Sequence, residues 1–269
     1  MPRRIEFLAV IYFAVVHALA VAAIFLPLRP GWIPLAIALA YTFNLGTCAG
    51  LHRLLSHRAF SCPKWVEYAL VSAAMVTAQG SPLLWVATHR RHHAHSDRAG
   101  DVHSPHRGFW YAHIGWMIDR DSTDSGDSQR YCRDLAEDPY YRWLLRWRFV
   151  PQVITILLIG LVLGWAALPF TFFVPLVWWM HITYLVNSAC HTQWLGTRSF
   201  ETRDGSRNVW WVALLTWGEG WHNNHHASPR SARMGLMPGQ LDLVYLFIRA
   251  LGAFGLAWDI QTGAPTQSD

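Results

Sequence analysis

Four long apolar runs constrain this chain before any other feature does: Ile5 to Leu28, Trp32 to about Leu51, Phe149 to Leu168 and Phe170 to Asn187. Each holds roughly 18 to 24 residues, and a helix needs ~20 to cross a ~30 Å hydrocarbon core. A segment in lipid must satisfy its own backbone hydrogen bonds, so the runs predict four transmembrane helices. The turn Leu28-Arg29-Pro30-Gly31 joins the first two, and Pro169 is the expected turn between the last two. The first run is too long for the apolar part of a signal peptide and lacks a small-residue cleavage site, which predicts a retained span. Composition agrees, with 52% of residues apolar and 14% charged, against ~25% charged in soluble proteins. So little charge cannot cover the whole surface, and lipid is expected to cover part of it.

Positive charge orients the spans. Arg3, Arg4, Arg53, Arg58, Lys64, Arg142, Arg146, Arg148, Arg198, Arg203 and Arg207 flank the runs on one side, and the opposite turns carry only Arg29. The positive-inside rule then places both termini, residues 52–148 and residues 188–262 in the cytoplasm, as expected of a bacterial inner-membrane protein. The formal net charge of +5 is thereby accounted for without nucleic acid. Cys48, Cys62, Cys132 and Cys190 form no chelating pair, which argues against a disulfide framework or a zinc knuckle. Lys64 to Ala78 is apolar but too short to cross, and reads as a re-entrant or surface helix, as does Val209 to Trp217. Asp119 to Asp138 reads as an acidic loop with partial helix, residues 263–269 as a disordered tail, and 1–262 as a single domain.

Nine of the 15 histidines fall in clusters at or just beyond one membrane boundary. His52 and His57 lie in HRLLSH, His89, His92 and His93 in HRRHH, His191 in NSACH, and His222, His225 and His226 in HNNHH. Residues three and four apart share a helix face, so each triplet can direct two or three imidazoles inward. His52 and His57 stand about 140° apart on an ideal helix, which leaves open whether they serve one metal or two. A lone histidine is ordinarily a packing residue, the reading given to His17 and His181; His95, His103, His106 and His113 read as loop or supporting residues. Nine clustered imidazoles in a poorly hydrated place would each need a polar partner. Metal ions supply a common one. Imidazole suits iron, copper, zinc and nickel alike, and nine ligands suggest two ions.

HRLLSHR, HRRHHAHSD, NSACH and GEGWHNNHH, with RGFWYAHIGW at Arg107 to Trp116, closely resemble the motifs of membrane fatty-acid desaturases of the delta-9 acyl-CoA and acyl-lipid type. The resemblance runs from about Gly46 to Asp259. It implies an all-α integral membrane fold, four transmembrane helices under a cytoplasmic helical cap, and a di-iron centre held by the nine histidines, with Asn187 holding a metal-bound water. Trp85 matches a tryptophan near the acyl channel, although Leu84 stands where the family often has an acid. Asp97, Asp101 and His103 match a polar stretch after the second motif, Trp221 and Asn224 complete the last one, and Glu219 is a candidate carboxylate partner for a ligating imidazole.

The activity so implied introduces a cis double bond, at delta-9, into a saturated acyl chain carried as acyl-CoA or acyl-lipid, with O2 as co-substrate. Its electrons would come from a separate donor such as a ferredoxin, or a cytochrome with its reductase. Channel walls are expected from spans two and four with Phe109 and Trp110, and Arg90, Arg91, Arg107 and Arg148 are candidates for an anionic carrier. A similar cage would also serve a hydroxylase acting on a fatty-acyl chain, a lipid or an alkane. A non-catalytic metal-binding or transport protein fits less well, since transport needs ionisable groups along a mid-membrane path.

Overall fold

The computed structural model describes residues 5–119 and 130–263. The chain is all-helical in its regular elements. Helix α1 (Phe7–Val21) continues through a 3-10 turn to Phe25 as the first apolar span. Helix α2 (Ile33–Leu45) runs without a break into a π-helical stretch, Gly46–Ser56, and together they make a second span from Pro30 to Ser56. After α3 (Lys64–Met75), α4 (Pro82–His95) and the short α5 (Phe109–His113), α6 (Pro139–Arg146) meets α7 (Val150–Leu163) at a bend of 70°. The last long apolar helix covers Trp165–His191 and contains α8 (Val174–Ser188). Helices α9 (Trp210–Thr216), α10 (His222–Ala227) and α11 (Leu243–Ala253) complete the cap.

Among the described residues, three helices are thus long and apolar enough to cross a membrane by themselves, and the bent pair makes a fourth if it is one span. Two boundaries differ from the sequence expectation. The turn between the last two spans is at Gly164, not Pro169, because Gly164 has φ +86°, a conformation open to glycine and costly for other residues. Pro169 instead lies inside the final span, in a π-helical turn near its start. The second span also reaches beyond Leu51, so His52 is part of the span itself. Half of the expected loop from Asp119 to Asp138 lies outside the described residues, the rest including a short helix at Arg133–Ala136, and Arg3, Arg4 and the tail beyond Gly263 also lie outside them.

Two large hydrophobic cores, with a smaller third around Cys190 and Val212, organise the described residues. In the membrane, Val16, Trp32, Phe43, Phe172, Leu176, Trp179 and Met180 pack the spans together. In the cap, Leu51, Leu55, Val71, Met75, Val86, Tyr141, Leu144, Val244 and Ile248 fasten the helices around the π-helical stretch. Outward residues of the spans stay apolar, as Phe7, Leu8, Phe25 and Leu161 show, and that surface suits lipid. Polar bonds tie the spans internally: His17 Nε2 meets His181 Nε2 at 3.0 Å, and His181 Nδ1 meets His113 Nε2 at 3.0 Å. His17 and His181 thus hydrogen-bond to each other within the bundle, outside both histidine groups.

The π-helical stretch is held by α3 at unusually close range. A Cβ at Gly46 would lie 2.4 Å from the Ala74 backbone nitrogen, and small residues let helix backbones approach this way. Gly46→Ala is expected to destabilise the protein by about 1–3 kcal/mol through overpacking. Gly31→Ala, with open space at the new Cβ, should stay within about 0.5 kcal/mol. Thermal unfolding of the two variants in detergent checks the contrast.

Candidate metal centre

The local helix geometry resolves the spacing of the first histidine pair. An i+5 to i hydrogen bond defines a π-helix, and the His57 amide donates to the His52 carbonyl at 3.1 Å. Residues five apart therefore stack on one side, and the two rings stand 4.9 Å apart. On α4 and α10 each triplet is shared out. His89 and His93, one helical turn apart, join His52, His57 and His225 in one group; His222 and His226 join His92 and His191 in a second. His191 arrives from the 3-10 turn that ends the last span.

Within each group one nitrogen per ring lies within 4.8 Å of all the others. Nε2 pairs approach closely: His57 to His89 at 2.7 Å, His225 to His93 at 2.9 Å and to His52 at 3.1 Å, His222 to His191 and to His226 at 3.0 Å, His92 to His226 at 3.3 Å. Imidazole nitrogens sit about 2.0–2.1 Å from a bound transition metal, so two ligands of one ion lie about 3 Å apart. The donor set therefore fits two metal ions, one per group, and no cysteine sulfur belongs to either.

Opposite edges of four rings are fixed by carboxylates. Glu219 takes His52 Nδ1 in a short bond, Asp101 takes His92 Nδ1 at 2.9 Å, Asp97 takes His191 Nδ1 at 3.1 Å and Asp204 takes His226 Nδ1 at 2.8 Å. Such a partner selects the tautomer that leaves Nε2 bare for metal and raises its basicity. Burial pushes these carboxyls up, but the facing imidazoles pull harder. Glu219 settles at about 2, and Asp97, Asp101 and Asp204 also fall below their ordinary value. Burial, and then neighbouring imidazoles, hold His57, His89, His93, His222 and His225 far below their ordinary value. These five rings are thus neutral and ready to ligate.

Sequence reasoning missed Asp204 and Arg53. Asp204 sits in an ordinary-looking TRDGS stretch with no signal to find it. Arg53, counted with the membrane-flanking charges, is 1% exposed. It donates to Glu219 at 2.7 Å, to Asp242 at 3.0 Å and to the Ala232 carbonyl at 2.6 Å. Asp242 in turn caps α11 through the Tyr245 amide, so one buried arginine ties the cap to the carboxylate that holds His52.

A pocket opens beside both groups, lined by His52, His89, His92 and His222 together with Thr47, Cys48, Trp85, Thr183, Val186, Asn187, Thr216 and Glu219. Spans two and four supply its walls, with Trp85 stacked on His89. Phe109 and Trp110 are not brought to it: Phe109 packs beside Cys190 and Val212, and Trp110 is 72% exposed. Asn224 bonds Asn208, the Met234 carbonyl and Gln240, which anchors α10 without meeting a ring. His103 packs its ring 4.3 Å from His92, and the Trp221 indole donates to the Leu241 carbonyl. Arg90 is committed to the Leu55, Ser56 and Tyr131 carbonyls and to Asp134. Arg91 reaches the Gly100 carbonyl, Arg107 reaches Tyr111 and Asp119, and Arg148 lies over the Phe149 ring.

A multi-pass helical fold with nine imidazoles gathered at the end of its spans defines a membrane metalloenzyme. The family model described as fatty acid desaturase matches residues 30–255. The chain is 41% identical over 261 residues to an sn-1 stearoyl-lipid 9-desaturase of Anabaena variabilis, covering 96% of this chain and 94% of that protein. It is 38% identical to an sn-2 palmitoyl-lipid 9-desaturase of Nostoc, covering 97% and 92%. It is 39% identical to a chloroplastic palmitoyl-monogalactosyldiacylglycerol delta-7 desaturase of Arabidopsis thaliana, covering 94% and 69%. The chain belongs to the fatty acid desaturase family, and it is an oxidoreductase of that class.

Removing a carboxylate behind a ligand typically costs about 10–100-fold in metal affinity. Asp204→Asn should lose metal by that factor, measured by metal content after dialysis against graded chelator. Acid provides a second check. The histidines with lowered values resist protons in the folded state, so the unfolded chain binds more protons below their ordinary value of 6.5, and stability then rises with pH. The unfolding midpoint of chelator-treated protein should fall as pH drops from about 7 to 5, with little contribution from these rings above 7.

Proposed function

We propose that the chain is an O2-dependent acyl-lipid desaturase placing a cis double bond at delta-9. The observation that carries this reading is the pocket between spans two and four, which runs beside both imidazole groups. The relatives named above supply the substrate class: lipid-bound stearoyl and palmitoyl chains, two with position 9 and one with position 7.

Two irons are the proposed metals, one with His52, His57, His89, His93 and His225, the other with His92, His191, His222 and His226. Asn187 lines the pocket one turn before His191 and is assigned a water on the four-histidine side, where the protein offers one ligand fewer. An iron pair bound there would supply, with O2, two electrons and two protons from outside the chain, the oxidising power to remove one hydrogen from each of two adjacent methylenes, with O2 leaving as two waters. The remaining work belongs to the protein. A saturated chain has no acidic proton to act on, so selectivity comes from holding one methylene pair beside the cage. Trp85 forms a rigid wall against His89, and the apolar faces of the spans exclude water. Arg53 and Glu219 fix the ring of His52.

Electrons come from a separate donor protein such as a ferredoxin, or a cytochrome with its reductase, on the cytoplasmic side of a bacterial inner membrane, where both termini also lie. An acyl-CoA substrate would call on Arg148, since Arg90, Arg91 and Arg107 are bonded internally.

Expression in a host unable to make unsaturated fatty acids tests the reading. Lipid mass spectrometry should find a new double bond at position 9, and His225→Ala should reduce it to background. A hydroxylated product in place of the alkene would overturn desaturation, and product persisting in His225→Ala would overturn the site.

A further inference from the structure

The pocket beside the metal centre lies behind a pair of aromatic rings, Tyr41 on the second span and Trp217 at the edge of the cap core. Tyr41, on the second span, is 47% exposed, and its ring centroid is 3.9 Å from that of Trp217. Because Tyr41 belongs to a membrane-crossing helix, its open side meets lipid. Tyr41, Asn44 and Cys48 follow one another along one face of that span. Asn44 donates to the Thr216 carbonyl at 3.2 Å and accepts from the Cys48 thiol at 3.3 Å. Cys48 and Thr216 both line the pocket. One hydrogen-bonded residue therefore separates the ring pair from the pocket wall.

Trp217 occupies a backbone position that does not suit it. It has φ +64° and ψ +29°, and the Gly218 amide bonds back to the Ala213 carbonyl at 2.8 Å. This is the helix ending in which the left-handed residue is usually glycine. A large side chain held there in strain, at the seam between a span and a cap helix, marks a device rather than a filler. Two residues later comes Glu219, the carboxylate on His52. Trp210 and Leu214, on the same cap helix, are also exposed, so apolar surface continues outward from the seam.

We propose that Tyr41 and Trp217 form a lateral gate through which the acyl chain of a bilayer lipid passes from the membrane into the pocket. A lipid whose headgroup stays at the interface can deliver its chain only sideways, between span two and α9. Separation of the two rings, with release of the Asn44 to Thr216 bond, opens that route. The inference rests on the acyl-lipid reading given above.

Three variants on a Cys62→Ser background test it, the remaining cysteines being buried. Tyr41→Cys is labelled with a bulky apolar thiol reagent in vesicles of a saturated diacyl lipid. Ile37→Cys, one turn further along the same span and 52% exposed, is labelled as control. The labelled Tyr41→Cys enzyme should lose at least about fivefold in turnover of vesicle lipid, with unchanged iron content and unfolding midpoint, while labelled Ile37→Cys keeps the parent rate. Adding Trp217→Gly, which suits the left-handed backbone, should restore part of the lost rate by clearing the facing ring. Equal rates for the two labelled proteins, or no recovery with Trp217→Gly, would overturn the gate alone. Absence of product from vesicle lipid with the unlabelled parent, beside turnover of acyl-CoA, would overturn the acyl-lipid reading and the gate with it.

Discussion

Nine clustered imidazoles turn their Nε2 atoms toward one another at separations near 3 Å, and that arrangement is unfavourable unless cations stand between them. Desolvated lone pairs cannot all be satisfied by each other. Two metal ions would satisfy them together, and the carboxylates on the far edges would then offset part of the ionic charge. Much of the cap is organised by this requirement. The π-helical stretch stacks His52 and His57, α4 and α10 each contribute ligands to both groups, and the last span ends where His191 must stand. Gly46, which lets α3 approach the π-helical stretch, is part of the same arrangement.

The membrane part and the cap divide the work. Spans with lipid-facing outer surfaces provide a frame, and their inner ends extend the pocket downward from the cage. The reacting bond offers no acidic proton, so the contribution of the protein is position and dryness rather than acid-base chemistry. Buried ionic links transmit that positioning. From Asp242 at the start of α11 through Arg53 and Glu219 to His52, every partner is nearly inaccessible to water. Breaking such a chain at one member leaves an uncompensated buried charge, which explains why an arginine belongs inside a cap otherwise built from leucine, valine and aromatic side chains.

The amino-acid sequence by itself determined that the chain is helical and membrane-embedded, and which nine histidines gather. Length and hydropathy suffice for the first, since lipid admits few backbone arrangements, and clustering at one boundary suffices for the second. It did not determine how the histidines divide. An ideal helix puts His52 and His57 on different faces, and only the i+5 hydrogen bonding of the folded stretch aligns them. The same limit explains Arg53, which reads as a flanking charge until Glu219 and Asp242, more than 160 positions away in the chain, close around it. Asp204 carries no local mark, and Phe109 and Trp110 were drawn to the channel by aromatic character although packing sends them elsewhere. Periodicity and composition report what one segment prefers. Which segment's side chain completes another's coordination, ion pair or pocket wall is a long-range contact, and the tertiary structure alone decides it.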